Sequence, residues 1–202
     1  MAPVFHYLAI PARGEATRVA LAVAGVDFED KRMSFEEFGA SKFKTCPVYE
    51  LDGTEYTQST ALLRYAGKLG GTYPEDALEA LKVDEIVMIL EDVFINIFST
   101  VGMTDEVAQL EKRKALMAGK VKELLEDVAR KADANECSAF CVGESLTIAD
   151  IMLHAVVATC QADFLTGIPT TMVEDICPSL KVVEDAVVEH PKVRAYYYAS
   201  KA

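Results

Sequence analysis

The chain has 202 residues, 51% of them hydrophobic, and a formal net charge of −12. This length and apolar content support a folded core and exclude a disordered tail, while the acidity argues against a nucleic-acid or anionic-membrane partner. No apolar run approaches the roughly 18 residues of a membrane span, and MAPVFHYLAI carries no basic region or cleavage site; the expectation is a soluble, cytoplasmic protein.

The charge is uneven. Up to residue 76 there are 8 basic against 11 acidic residues, and beyond it 12 against 21, so the N-terminal part is the better place for a small anion. The five cysteines (Cys46, Cys137, Cys141, Cys160, Cys177) are odd in number and scattered, which points to free thiols rather than a disulfide framework. Cys137 and Cys141 stand four apart, but no second Cys or His pair completes a zinc set, and no metal is expected.

Along the chain, VFHYLAI (4–10) reads as a buried strand. ARGEATRVALAVAGV has apolar residues at helical spacing and a C-terminal stop at Gly25. Residues 27–33 fit a second strand, and 35–44 a short helix or irregular loop. PVYEL and EYT form a hairpin about Asp52-Gly53, and 59–69 closes the unit as a helix ending at Gly70-Gly71. The order predicts a mixed four-stranded sheet with helices.

GGTYPEDA (70–77) reads as a linker, and everything after it as helix. Val83, Ile86, Val87, Leu90, Phe94 and Ile97 form one apolar stripe. A second long helix is expected from Thr104, carrying Leu110, Met117, Val121, Leu124, Leu125 and Val128. A third follows Thr147, where Thr147 and Asp150 have capping-box spacing and Leu146 and Ile151 stand at staple positions. Shorter helices fit 178–189 and 191–200, with Pro178 and Pro191 as start residues.

The stretch TCPVYELDGTEYTQSTALLRYAG (45–67) has no glycine-rich phosphate loop. A Pro opening a strand lacks the N–H that a ladder needs and sits at an edge or a bend. If the Cys46–Pro47 bond is cis, the Cys46 backbone turns outward and an extended peptide can pair with it. Gln58-Ser59 then stands at a helix N-terminus, which favours a carboxylate. A small, peptide-like, anionic ligand satisfies both features; an ordinary edge proline followed by a Ser cap is the plainer alternative.

Five segments together resemble a cytosolic glutathione S-transferase of the tyrosine type, sigma-like with pi- and alpha-like features: Tyr7 with Arg13 six residues on, CPVYELDG, QSTALLRYAG, VDEIVMILEDV and LTIADI. The resemblance covers nearly the whole chain. It implies an α/β thioredoxin-like N-terminal domain (1–73) that binds glutathione as co-substrate. It also implies an all-α C-terminal domain (79–202) that contributes the hydrophobic substrate site, and a homodimer.

Residue by residue, the resemblance implies that the Tyr7 hydroxyl bonds the glutathione sulfur and that Arg13 supplies a positive field beside it. Gln58 and Ser59 would hold the γ-glutamyl end, and Cys46 and Pro47 the cysteinyl part. Lys42, four residues after Phe38, would lie near the glycine carboxylate. Phe38 stands where Trp is usual and has no indole N–H, and Thr45 stands where Gln is common, so the glycine end departs most from the family pattern. Asp92 would reach the glutathione amino group of the other subunit, with Glu85 on the same helix face, and Phe43 would insert into the neighbouring subunit. Leu8, Ile10, Phe94 and Met152 would line the electrophile site. His6 falls on the opposite strand face from Tyr7 and reads as structural.

The implied activity is conjugation of the glutathione thiolate to small hydrophobic electrophiles, a detoxification chemistry. The alternatives are a glutathione-dependent isomerase or peroxidase, for which Ser99 stands where the prostaglandin-isomerase relatives place a Trp, and a non-catalytic ligand-binding or structural homologue. Thiol–disulfide chemistry would want a Cys near Tyr7 at the first helix, and there is none; Cys46 remains a candidate for a mixed disulfide with glutathione.

Overall fold

The structure is a computed structural model describing residues 2–135, 139–162 and 164–199; the expectation for Cys137 lies outside these. Its N-terminal region runs β1 (Val4–Leu8), α1 (Ala12–Ala24), β2 (Glu29–Met33), α2 (Phe35–Ala40), β3 (Val48–Leu51), β4 (Thr54–Thr57) and α3 (Ser59–Gly70). The strands form one mixed sheet in the order β2-β1-β3-β4. β1 lies parallel to β2, and β3 runs antiparallel to both β1 and β4. The hairpin turn has Asp52 at φ 49° and Gly53 at φ 78°, the paired positive φ values that Asp-Gly tolerates and that suit the twist of the flanking strands. Gly25, at φ 71°, closes α1 as expected.

The helical region follows: α4 (Ala77–Phe98), α5 (Glu106–Ala118), α6 (Lys120–Asp133), α7 (Ile148–Cys160), α8 (Met172–Ile176), α9 (Leu180–Glu189) and α10 (Pro191–Ala199). The stripe from Val83 to Ile97 on α4 is buried throughout and joins a core that includes Phe5, Val19, Leu63 and Ile151. That core is continuous between the sheet region and the helices. Direct bonds reinforce it: Ala12 N–H donates to Thr159 Oγ1 at 3.0 Å, and Ile148 N–H to the Thr72 carbonyl at 2.9 Å. Among the described residues no helix is long and apolar enough to cross a membrane, and Cys46, Cys141, Cys160 and Cys177 are free thiols.

Several boundaries differ from the sequence expectation. The long helix read from Thr104 is two helices, broken at Gly119 (φ −124°, ψ −105°) and capped by Asp105, whose carboxylate accepts from Ala108 N–H. Glycine has the lowest helix propensity after proline, and here the chain leaves helical geometry at it. Only the second of the two buries its stripe, with Val121, Leu124, Leu125 and Val128 inside and Leu110 on α5 42% exposed. α2 is shorter than the 35–44 window and begins at a Ser34/Glu37 capping box. α8 had no expectation, and α9 starts at Leu180 with Ser179, not Pro178, beside its first turn. The Thr147/Asp150 capping box is present, opening α7.

Candidate active site

The strand register gathers three positions at one end of the sheet. His6 pairs with Val48, and Val48 with Thr57; one step further along both antiparallel pairings, Tyr7, Pro47 and Gln58 fall in one row. Cys46 precedes Pro47 through a cis peptide bond, and Ser59 opens α3.

Tyr7 is 5% exposed, and its ring lies so close to α1 that a Cβ on Gly14 would stand 2.2 Å from Cδ1. Burial pushes the phenol up to about 12, with the Cys46 thiol adding to the rise; Arg13, Arg18 and a hydrogen bond from the Gly14 backbone oppose it. The hydroxyl therefore keeps its proton at neutral pH and is a donor, which is what a sulfur anion needs from it.

Arg13, on the first turn of α1, donates from Nε to Glu91 Oε1 on α4 at 2.5 Å. Its guanidinium carbon lies 5.6 Å from the Phe94 ring centroid and 5.5 Å from that of Phe98, a cation–π sandwich. Burial raises the Glu91 carboxyl above the usual carboxylate range, and Arg13 works against that rise.

Gln58 has φ 75° and ψ 102° and caps α3 without any side-chain hydrogen bond to the helix. An L-residue there costs of order 1–3 kcal/mol, and such strain concentrates at ligand sites. The plainer alternative, a helix start closed by its own Ser or Gln side chain, is thus not what the chain does. The first-turn N–H groups of α3 follow directly on Gln58 and suit an anion.

At the other flank Lys42 is exposed and ion-paired with Glu55 on β4, Phe38 is half-buried and Thr45 exposed. Phe43 packs in its own chain, its ring 4.7 Å from His6. His6 itself lies 3.6 Å from Glu50. Asp92 is exposed on α4, while Glu85 pairs with Lys131 at 2.8 Å. Of the four residues expected to line an apolar site, Leu8 and Ile10 are half-buried against the core. Phe94 and Met152 are instead inside it, 0% and 2% exposed, because each falls on the core-facing side of its helix. The accessible aromatic surface beside Arg13 belongs to Phe98 and Phe164, whose rings stack at 6.3 Å.

Residues 91–200 match the family model of the glutathione S-transferase C-terminal domain. Over 202 aligned residues the chain is 30% identical to glutathione S-transferase 3 of Caenorhabditis elegans, covering 92% of this chain and 91% of that one. The chain belongs to the glutathione S-transferase family. It is also 26% identical to S-crystallin SL11 of Nototodarus sloanii, covering 91% of this chain and 89% of that protein. Its fold matches prostaglandin synthase D of Nilaparvata lugens with a TM-score of 0.84 at 24% identity, covering 98% of each chain.

Three features of this glutathione S-transferase lie beyond the sequence expectations. Glu91 is named in none of them, yet it is the partner of Arg13. Phe98 and Phe164 carry no motif that marks them. Arg18 does carry a signal that could have found it: a charged residue inside the run ATRVALAV, on a helix otherwise apolar on that side, points to a buried and paired charge.

Proposed function

We propose that the protein conjugates the thiolate of glutathione to small hydrophobic electrophiles. Residues 1–73 form its glutathione-binding unit, and residues 79–202 the helical unit that contributes the electrophile site. The observation that carries the reading is the buried, proton-bearing Tyr7 phenol in one row with Pro47 and Gln58, with the Arg13 guanidinium close enough to lower its pKa.

A free thiol of pKa about 8.5 is only a few per cent ionised at neutral pH. Lowering it by about two units stabilises the thiolate by roughly 2.7 kcal/mol and makes it the major form. Tyr7 supplies a hydrogen bond to the sulfur and Arg13 a positive field; both favour the charged form. Gln58 and Ser59 at the tip of α3 receive the γ-glutamyl carboxylate, and the Cys46 backbone beside Pro47 pairs with the cysteinyl part. Lys42 and Phe38, with Thr45, bound the glycine end, where Lys42 must first leave Glu55. Leu8, Ile10 and the Phe98–Phe164 surface shelter the electrophile from water, with Phe94 and Met152 packing beneath.

The protein acts as a homodimer in this reading. The apolar surface of Leu81, Met88 and Ile95 on α4, each at least 46% exposed, supports it, as does a cavity of about 260 Å³ between the hairpin and α3 lined by Tyr49, Tyr56 and Tyr65. Asp92 stands on the same face of α4 as Met88 and Ile95 and would meet the partner's ligand.

The test is the ultraviolet difference spectrum of bound glutathione against pH, for wild type and Tyr7→Phe. A thiolate band at neutral pH, lost or moved up by roughly one to two units in the variant, is the expected result. Binding without a band in the wild type would favour a ligand-binding role without catalysis. Failure to bind glutathione would overturn the proposal.

A further inference from the structure

A chain of buried polar groups runs from the last helix to the turn that follows Tyr7. Arg18 on α1 has no exposed surface. Its Nη2 donates to the Leu8 carbonyl at 3.2 Å and its Nη1 to the Ile10 carbonyl at 3.1 Å. Its Nε donates to Asp30 at 3.0 Å, and Glu15 lies 3.5 Å from Nη1. A guanidinium in a dry interior is tolerated only when its donors are met in this way. The same group stands 5.4 Å from the centroid of the Tyr7 ring. Tyr7 is thus packed closely by the Gly14 backbone and faced by Arg18, while the two carbonyls flanking Ala9 are pinned by that arginine.

Both carboxylates that hold Arg18 are linked to α10, Glu15 directly and Asp30 through Arg32 on β2. The Tyr197 hydroxyl donates to Glu15 Oε1 at 2.8 Å and lies 2.6 Å from His154 Nε2, whose Nδ1 is 2.8 Å from Glu184. Arg32 bonds Asp30 at 2.7 Å and donates to the Tyr196 hydroxyl at 3.1 Å. We infer that Tyr197 is a positioning residue for the thiolate-stabilising Tyr7, acting through Glu15 and Arg18 to fix the turn between Tyr7 and Arg13. The inference rests on the glutathione reading of Tyr7. Its physical basis is that a hydrogen bond to sulfur depends steeply on distance and angle, so a looser turn weakens the thiolate before it weakens binding of the peptide's ends.

The test is the pH titration of bound glutathione in Tyr197→Phe, which removes one hydroxyl and keeps the ring. Arg13, Arg18 and Cys46 are the groups that act electrostatically on Tyr7, and none of them is altered. The thiol pKa should rise by about half a unit or more, with turnover about threefold lower on the acid side, converging with wild type at high pH. The KM for glutathione should stay within about twofold. Tyr198→Phe, on the same helix but 69% exposed, should titrate as wild type; an equal shift there would overturn the inference. So would a Tyr197→Phe curve that superimposes on wild type, whatever its melting temperature. If Tyr197→Phe does not fold, Glu15→Gln is titrated in its place: a raised thiol pKa supports the inference and a superimposed curve overturns it. A wild type without a thiolate band sinks the glutathione reading and this inference with it, whereas a normal wild-type band with an unshifted variant sinks the inference alone.

Discussion

Arg13 on α1 and Glu91 on α4 form an ion pair at 2.5 Å that joins the sheet region to the helical region. Both side chains are largely buried, with 23% and 15% exposure, so the pair is shielded from the screening that makes surface salt bridges weak. Removing either partner strands the other in a poorly solvated place.

A pH dependence follows. Burial raises the Glu91 carboxyl above its ordinary value while Arg13 holds it down. A carboxyl raised in the folded state keeps a proton that the unfolded chain has released. Its stabilising contribution is therefore complete below the unfolded pKa and is lost as pH rises through the folded one. In Arg13→Met the folded pKa climbs further, and the loss grows by about 1.4 kcal/mol per additional unit. Denaturant midpoints between pH 4 and 7 should fall more steeply for Arg13→Met than for wild type, and Glu91→Gln should flatten the slope. A pH-independent deficit in Arg13→Met would contradict this account.

The second prediction concerns Gly14. A methyl group there would stand 2.2 Å from Cδ1 and 2.6 Å from Cγ of Tyr7, closer than any real contact, and the buried ring has little room to withdraw. Gly14→Ala should cost about 1–3 kcal/mol, seen as a Tm lowered by about 3–10 °C, and should displace the phenol enough to raise the pKa of the bound thiol. A variant with wild-type stability and an unchanged thiol titration would show that the ring is not held by this contact.

A third prediction separates folding from catalysis. Asp150 on α7 is fully buried and accepts from Cys141 N–H at 2.6 Å, from Thr147 N–H at 2.7 Å and from the Thr147 hydroxyl at 2.9 Å. Thr147→Ala removes one side of the capping box and should cost about 1 kcal/mol. Asp150→Ala orphans two buried backbone donors and should cost about 3 kcal/mol or more. In urea melts the two variants should rank in that order, while the pH titration of the glutathione thiol stays as in wild type. A shifted thiol titration in Thr147→Ala would place this box in the catalytic machinery, contrary to its position in the core.

Local chemistry carried much of the architecture. Asp52-Gly53 turned where its paired positive φ values allow, Gly25 stopped α1, and the Thr147/Asp150 spacing opened α7; each depends on residues within a few positions of one another. The apolar stripe of α4 was legible for the same reason, since helical periodicity is a property of one segment. What periodicity did not reveal was the break at Gly119, because the apolar spacing continues in phase across it.

The site divides along the same line. By itself the sequence determined the elements that hold Tyr7, the hairpin proline and the tip of α3, since those are short segments whose order and turns it fixes. Only the tertiary structure decided that Glu91 faces Arg13 across 78 positions, that Phe94 and Met152 face inward, and that Tyr197 reaches Glu15 from the far end of the chain. Pairings over such separations are set by how helices pack against a sheet. Helix packing is decided by the shape of the whole core, which no single segment encodes.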